Sequence, residues 1–105
     1  MTVRKLTGKT EFDSAIQNGV ALVDFNASWC APCRAQAPIV EKLAENFSGK
    51  AMIAETDVDE NRDAAVAYDI RSIPTLVLFK NGEEVERLVG LQSEETLVEI
   101  LEKTI

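Results

Sequence analysis

The chain has 105 residues, 46% of them apolar, which fits one domain over residues 1–105 built around a single core. Its formal charge is −7, from 11 basic and 18 acidic residues, and a phosphate backbone would be repelled, so no nucleic-acid partner is expected. Two cysteines and no histidine exclude Ser-His and Cys-His nucleophile pairs and leave the common Cys/His zinc sites incomplete, so no metal is expected. No apolar run reaches the roughly 18 residues of a membrane span. Met1-Thr2-Val3-Arg4-Lys5 lacks the apolar run of a secretory signal, so a cytoplasmic protein is expected.

In chain order, Val3 to Leu6 is a short strand candidate. Thr10, with Asp13 three residues on, predicts a helix start of the capping-box type. Phe12 and Ile16 share its inner face, and Gly19 ends it. Val20 to Phe25 reads as a strand buried on both faces, and Asn26 to Trp29 as a loop. A helix from about Cys30 to Phe47 carries Ile39, Val40, Leu43 and Phe47 at helical spacing, with Pro38 expected to kink it.

Ala51 to Val58 is the next strand, and Asn61 to Tyr68 a short helix. Arg71 to Pro74 is a loop, Thr75 to Phe79 a strand, and Asn81-Gly82 the strongest hairpin signal in the chain. Val85 to Val89 is its partner strand, broken by Gly90. Ser93 caps a final helix with Leu97, Ile100 and Leu101 inward. The order β-α-β-α-β-α-β-β-α predicts an α/β fold with a mixed sheet and helices on both faces. Strands joined through helices are expected to run parallel, and the hairpin antiparallel.

The chemistry centres on Trp29-Cys30-Ala31-Pro32-Cys33. The pair sits where a buried strand ends and a helix begins, so free N–H groups and the helix dipole favour a thiolate. Cys30, nearer that end, is expected to be the more exposed nucleophile, and Cys33 the more buried, resolving thiol. Pro32 suits a first helical turn and restricts the ring that a disulfide would close. A structural cross-link, half of an intermolecular metal site, or two inert thiols are the competing readings. A loop this short gains only about 2 kcal/mol from cross-linking, which weakens the first.

Asp24 stands among Leu22, Val23 and Phe25. It is either a proton acceptor and donor for Cys33, or a strand-end carboxylate that reaches solvent or caps a helix. Pro74 opens a strand, and trans is the commoner state of an X-Pro bond. Gly90 either ends its strand or admits a partner backbone. Trp29 is expected to be an exposed contact plate.

These segments together resemble the thioredoxin family over essentially the whole chain. The matching stretches are Val23-Asp24-Phe25, Ala27 to Cys33, Asp57-Val58-Asp59, Ile70 to Thr75, Phe79 to Gly82 and Val89-Gly90. The resemblance implies a thioredoxin fold, a mixed five-stranded sheet flanked by four helices in three layers (α/β/α). It implies reduction of disulfides in protein substrates, with Cys30, Cys33, Asp24 and Pro32 as the catalytic set. It implies a cis Pro74 and a partner-binding surface of Trp29, Ala31, Ile73, Pro74 and Gly90, with Val58, Ser72 and Val89 joining it. It also implies re-reduction by thioredoxin reductase, with NADPH and FAD belonging to that partner and no cofactor bound here. A monomer is expected. The alternatives are a disulfide oxidant or isomerase, and a binding module without turnover.

Three positions depart from the commonest bacterial pattern of that family. Ala31 replaces a glycine, which is expected to stiffen the loop and shift its redox poise. Asn26 stands in place of a second tryptophan, which is expected to loosen packing around Asp24. Glu55 stands in place of a lysine. If it lies near Asp24, the two carboxylates raise each other's tendency to hold a proton where a lysine would lower it, and Asp24 is then expected to titrate higher than in lysine-bearing relatives.

Overall fold

The computed structural model describes residues 3–105. Its elements are β1 (Arg4–Lys5), α1 (Lys9–Ala15), β2 (Val20–Asn26), α2 (Ala31–Asn46), β3 (Met52–Asp57), α3 (Arg62–Ala67), β4 (Thr75–Lys80), β5 (Glu83–Val89) and α4 (Glu94–Thr104). The strands form one five-stranded sheet in the order β1-β3-β2-β4-β5. β2 lies at its centre, which is why its sequence is apolar on both faces.

Alternation along β2 divides the core into two layers. Val20 and Leu22 point to one face and pack with Val40, Leu43 and Phe47 of the α2 segment and Leu97, Ile100 and Leu101 of α4. Ala21, Val23 and Phe25 point to the other and pack with Phe12 and Ile16 of the α1 segment and Ala64 of α3. The chain is thus an α/β three-layer fold, with helices on both sides of a mixed five-stranded sheet, as expected.

Three local expectations are corrected. α1 begins at Lys9 rather than Thr10, after Gly8, and the Thr10–Asp13 capping box is not formed. Instead Glu11 accepts from the Thr7 N–H at 2.9 Å, and Asp13 pairs with Lys9. Asn26 belongs to β2, not to the following loop, because it continues the ladder opposite Asp57 of β3. β4 runs antiparallel to β2, and so against β3, although a helix joins β3 to β4. α3 has six residues, about 9 Å of helix, against about 20 Å for a six-residue strand. The connection of residues 58–74 that holds this short helix does not return along the sheet, and β4 re-enters at the end where β3 left.

That reversal positions the site. The C-terminal ends of β2 and β5 meet the N-terminal end of β4, with Phe25 opposite Thr75 and Thr75 opposite Val89. The loop after β2, Pro74 before β4 and Gly90 after β5 therefore gather at one end of the sheet. The far end is closed by the Asn81-Gly82 turn, both residues having positive φ (52° and 86°), as a two-residue hairpin requires.

Candidate active site

α2 starts immediately after the site-bearing cysteine. Cys30 is its N-cap in extended conformation, and Pro32 lies in the first turn, where a missing N–H costs nothing. α2 then continues through Pro38 to Asn46 as one helix. Cys30 and Cys33 form a disulfide with their Cα atoms 5.2 Å apart. The Cys33 N–H donates to Cys30 Sγ at 3.2 Å, so a free helix-terminal donor points at that sulfur. Cys30 Sγ also lies 3.9 Å from the Ile73 carbonyl oxygen.

The two cysteines are buried almost equally, 5% and 4% exposed, against the expectation of a clearly more exposed Cys30. The bond draws Cys30 into a small apolar cluster with Cys33 and Ala27, against which Val58 and Ile73 pack. The exposed feature is Trp29, at 67%, whose indole N–H donates to Asp59 at 2.8 Å. Ala31 is exposed at the start of α2. The Ile73–Pro74 peptide is cis, as the family resemblance implies and contrary to the general preference. Gly90 has φ 92°, and its N–H donates to the Pro74 carbonyl at 2.8 Å.

Asp24 is 2% exposed, so it neither reaches solvent nor caps a helix. Its Oδ1 is the one buried side-chain polar atom without a hydrogen-bond partner among the described residues. It faces Glu55 across the β2–β3 ladder. Burial, and then the Glu55 charge, push its carboxyl up to about 7, an effect that the nearby Asn26 amide only partly offsets. Asn26 donates to Glu55 Oε1 at 2.9 Å.

Two cavities flank this pair. One of about 20 Å³, room for a water molecule, is lined by Asp24, Ala37, Glu41 and Glu55 among others. The other, an open cleft of about 220 Å³, is lined by Asn26, Cys33, Ala37 and Glu55 among others. Asp24 and Cys33 thus border neighbouring spaces that share Ala37 and Glu55 as walls.

A cysteine pair at a helix N-terminus, a buried acid behind it and a cis-proline loop beside it form a combination that can be compared with known proteins. The thioredoxin family profile matches residues 3–103. A Staphylococcus epidermidis thioredoxin is 50% identical over 103 residues, 98% of each chain, and a Staphylococcus aureus thioredoxin is 48% identical over the same span.

The chain belongs to the thioredoxin family. Solved structures agree. A mutant thioredoxin from Halobacterium salinarum superposes with a TM-score of 0.90 at 46% identity, covering 98% of this chain and 90% of that one. Plasmodium falciparum thioredoxin gives 0.90 at 36% identity, covering 98% and 100%. The chain is accordingly a thiol–disulfide oxidoreductase of the disulfide-reductase class, acting on disulfide substrates. The family's chemistry runs on the cysteine pair and needs no bound cofactor.

Two residues near the site escaped the sequence reading as contributors. Asp59 is the acceptor for Trp29, and no local signal beyond its place in the Asp57-Val58-Asp59 stretch marks it. Gln36 is fully buried on the inner face of α2, in line with Cys33, Val40 and Leu43. A polar residue on an otherwise apolar helical stripe is the signal that could have found it.

Proposed function

We propose that this domain, over residues 1–105, reduces disulfides in protein substrates by dithiol–disulfide exchange, with Cys30 as the nucleophile and Cys33 as the resolving thiol. In the first step the Cys30 thiolate attacks one sulfur of the substrate disulfide. A mixed disulfide forms and the other substrate sulfur leaves as a thiolate, which takes a proton. In the second step Cys33 attacks Cys30 Sγ. Its proton passes to Asp24, the Cys30–Cys33 disulfide forms, and the second substrate sulfur leaves. Two electrons move from this chain to the substrate; of the two protons that the substrate thiols gain, Asp24 hands on the one from Cys33 and solvent supplies the other.

The observation that carries the assignment is the Cys33 N–H aimed at Cys30 Sγ from the first turn of α2. That donor and the helix dipole favour negative charge on Cys30 once the pair is reduced. Pro32 restricts the ring closed by the disulfide. Trp29, Ala31, Ile73, Pro74 and Gly90, with Val58, Ser72 and Val89, form the surface that receives the substrate chain. Ile73 offers its backbone next to Cys30, which favours an extended partner segment beside it.

Thioredoxin reductase is the proposed electron donor for the next cycle, carrying FAD and drawing on NADPH. This chain acts in the cytoplasm as a monomer, a state that self-repulsion at a net charge of −7 favours. Among the described residues no helix is long and apolar enough to cross a membrane.

The test is reduction of insulin by dithiothreitol, followed as turbidity, with this protein in catalytic amount. Acceleration that disappears in Cys30→Ser supports the assignment, and Cys33→Ser should trap substrate on Cys30. A folded protein that gives no acceleration rules it out.

A further inference from the structure

Gln36 lies three residues after Cys33 in α2 and is fully buried. A primary amide in that position needs partners for both of its ends. One backbone unit supplies them. Gln36 Nε2 donates to the Gln92 carbonyl at 3.0 Å, and the Gln92 N–H donates to Gln36 Oε1 at 2.7 Å. Gln92 stands in the connection between β5 and α4. Its own side-chain amide donates to the carbonyls of Val89 and Gly90, both at 3.2 Å. Gly90 in turn donates to the Pro74 carbonyl at 2.8 Å. A continuous set of hydrogen bonds therefore runs from the cysteine-bearing helix, through Gln92 and Gly90, to Pro74.

We propose that Gln36 and Gln92 form a clamp that fixes the Val89–Gly90–Pro74 edge relative to the Cys30–Cys33 disulfide, with Gln36 as a positioning residue for protein substrates. The proposal rests on the reading that this edge receives the substrate chain. An apolar residue at position 36 would fill the same space, but it would release the Gln92 backbone to solvent and free the connection to shift. A protein disulfide must dock on the edge to present its sulfur to Cys30. A small disulfide need only reach Cys30. The clamp should therefore affect KM for proteins and leave small-molecule exchange alone.

The test uses the full chain with Gln36→Met, which is close in size and apolar, and with Gln92→Ala, at a half-buried position outside the core. Insulin reduction gives KM and kcat, and reduction of dithiobis(nitrobenzoate) gives the small-disulfide rate. Both variants should raise KM for insulin about fivefold, the size of one hydrogen bond's net contribution, with kcat and the small-disulfide rate within about twofold of wild type. Unchanged KM in both variants, or an equal loss toward both substrates, overturns the clamp. Gln92→Ala keeps both backbone bonds to Gln36 and tests only the Gln92 side-chain link to Val89 and Gly90, so should Gln36→Met fail to fold, Gln36→Leu takes its place and unchanged KM in it overturns the role of Gln36. Val89→Asn separates the two levels of the argument. If it raises KM for insulin while neither glutamine variant does, the clamp alone is overturned. If it too leaves KM unmoved in an active protein, the edge is not used, and the clamp falls with it.

Discussion

Asp24 and Glu55 sit opposite each other on β2 and β3, two carboxylates facing the same helix layer with a single amide, that of Asn26, beside them. Burial already disfavours charge on Asp24, and the Glu55 carboxylate adds to it, so Asp24 titrates at about 7. Replacing Glu55 by lysine reverses the sign of the second effect and leaves the first. In Glu55→Lys the Asp24 midpoint, followed by NMR of its carboxyl carbon, should fall and yet stay above the ordinary carboxylate range. An unmoved midpoint would show that burial acts alone and that Glu55 is shielded from Asp24.

The same shift sets how stability depends on pH. The folded-state pKa of Asp24 is about 7 against an ordinary 3.8, so between these values the folded protein holds a proton that the unfolded chain has released. The native state is therefore penalised progressively as pH rises through that window, and the full penalty persists above it. Asp24→Asn removes the penalty. It should stabilise the protein by roughly 4 kcal/mol at pH 8 and by little near pH 4. Urea unfolding of both proteins at the two pH values checks this, and equal gains at both would contradict a titrating Asp24.

What the sequence disclosed and what it hid follow from the range of the interactions. The hairpin at Asn81-Gly82 and the helix start at Cys30 depend on neighbouring residues, and both stand where the local chemistry puts them. The direction of β4 depends on which end of the sheet the connection of residues 58–74 returns to, which no local signal states. Asp24 was ambiguous because a strand-end carboxylate is wet or dry according to what lies over it, and Ala37, Val40 and Glu41 of α2 are brought there by the fold. Gln36 was hidden for a related reason, its partners lying 56 positions away in the chain.

The hairpin supports a second stability prediction. Asn81 has φ 52°, its Oδ1 accepts from the Gly19 N–H at 2.8 Å, and its own N–H donates to the Gly19 carbonyl at 2.9 Å. Asn81→Ala strains the left-handed backbone and removes the side-chain bond, a combined cost of about 2 kcal/mol, or a Tm lower by roughly 10 °C. Asn81→Gly keeps the backbone at ease and loses only the side-chain bond, so it should cost about half as much. Thermal unfolding of the two variants separates the contributions, and equal losses would mean that strain contributes nothing.

The chemical role proposed for Asp24 can be read from the second step of exchange. If Asp24 takes the Cys33 proton, resolution needs the ionised carboxylate, and its rate should rise as pH passes about 7. Asp24→Asn should erase that inflection, leaving only the one belonging to the thiol at higher pH, and slow resolution at pH 7.5 by about 100-fold. Attack by Cys30 on a substrate disulfide, which does not call on Asp24, should keep its rate. A peptide loaded on Cys30 as a mixed disulfide and released in a single turnover reports the resolution step directly. If the asparagine variant keeps both the inflection and the rate, Cys33 loses its proton by another route, such as through the cleft that it borders with Asn26 and Glu55.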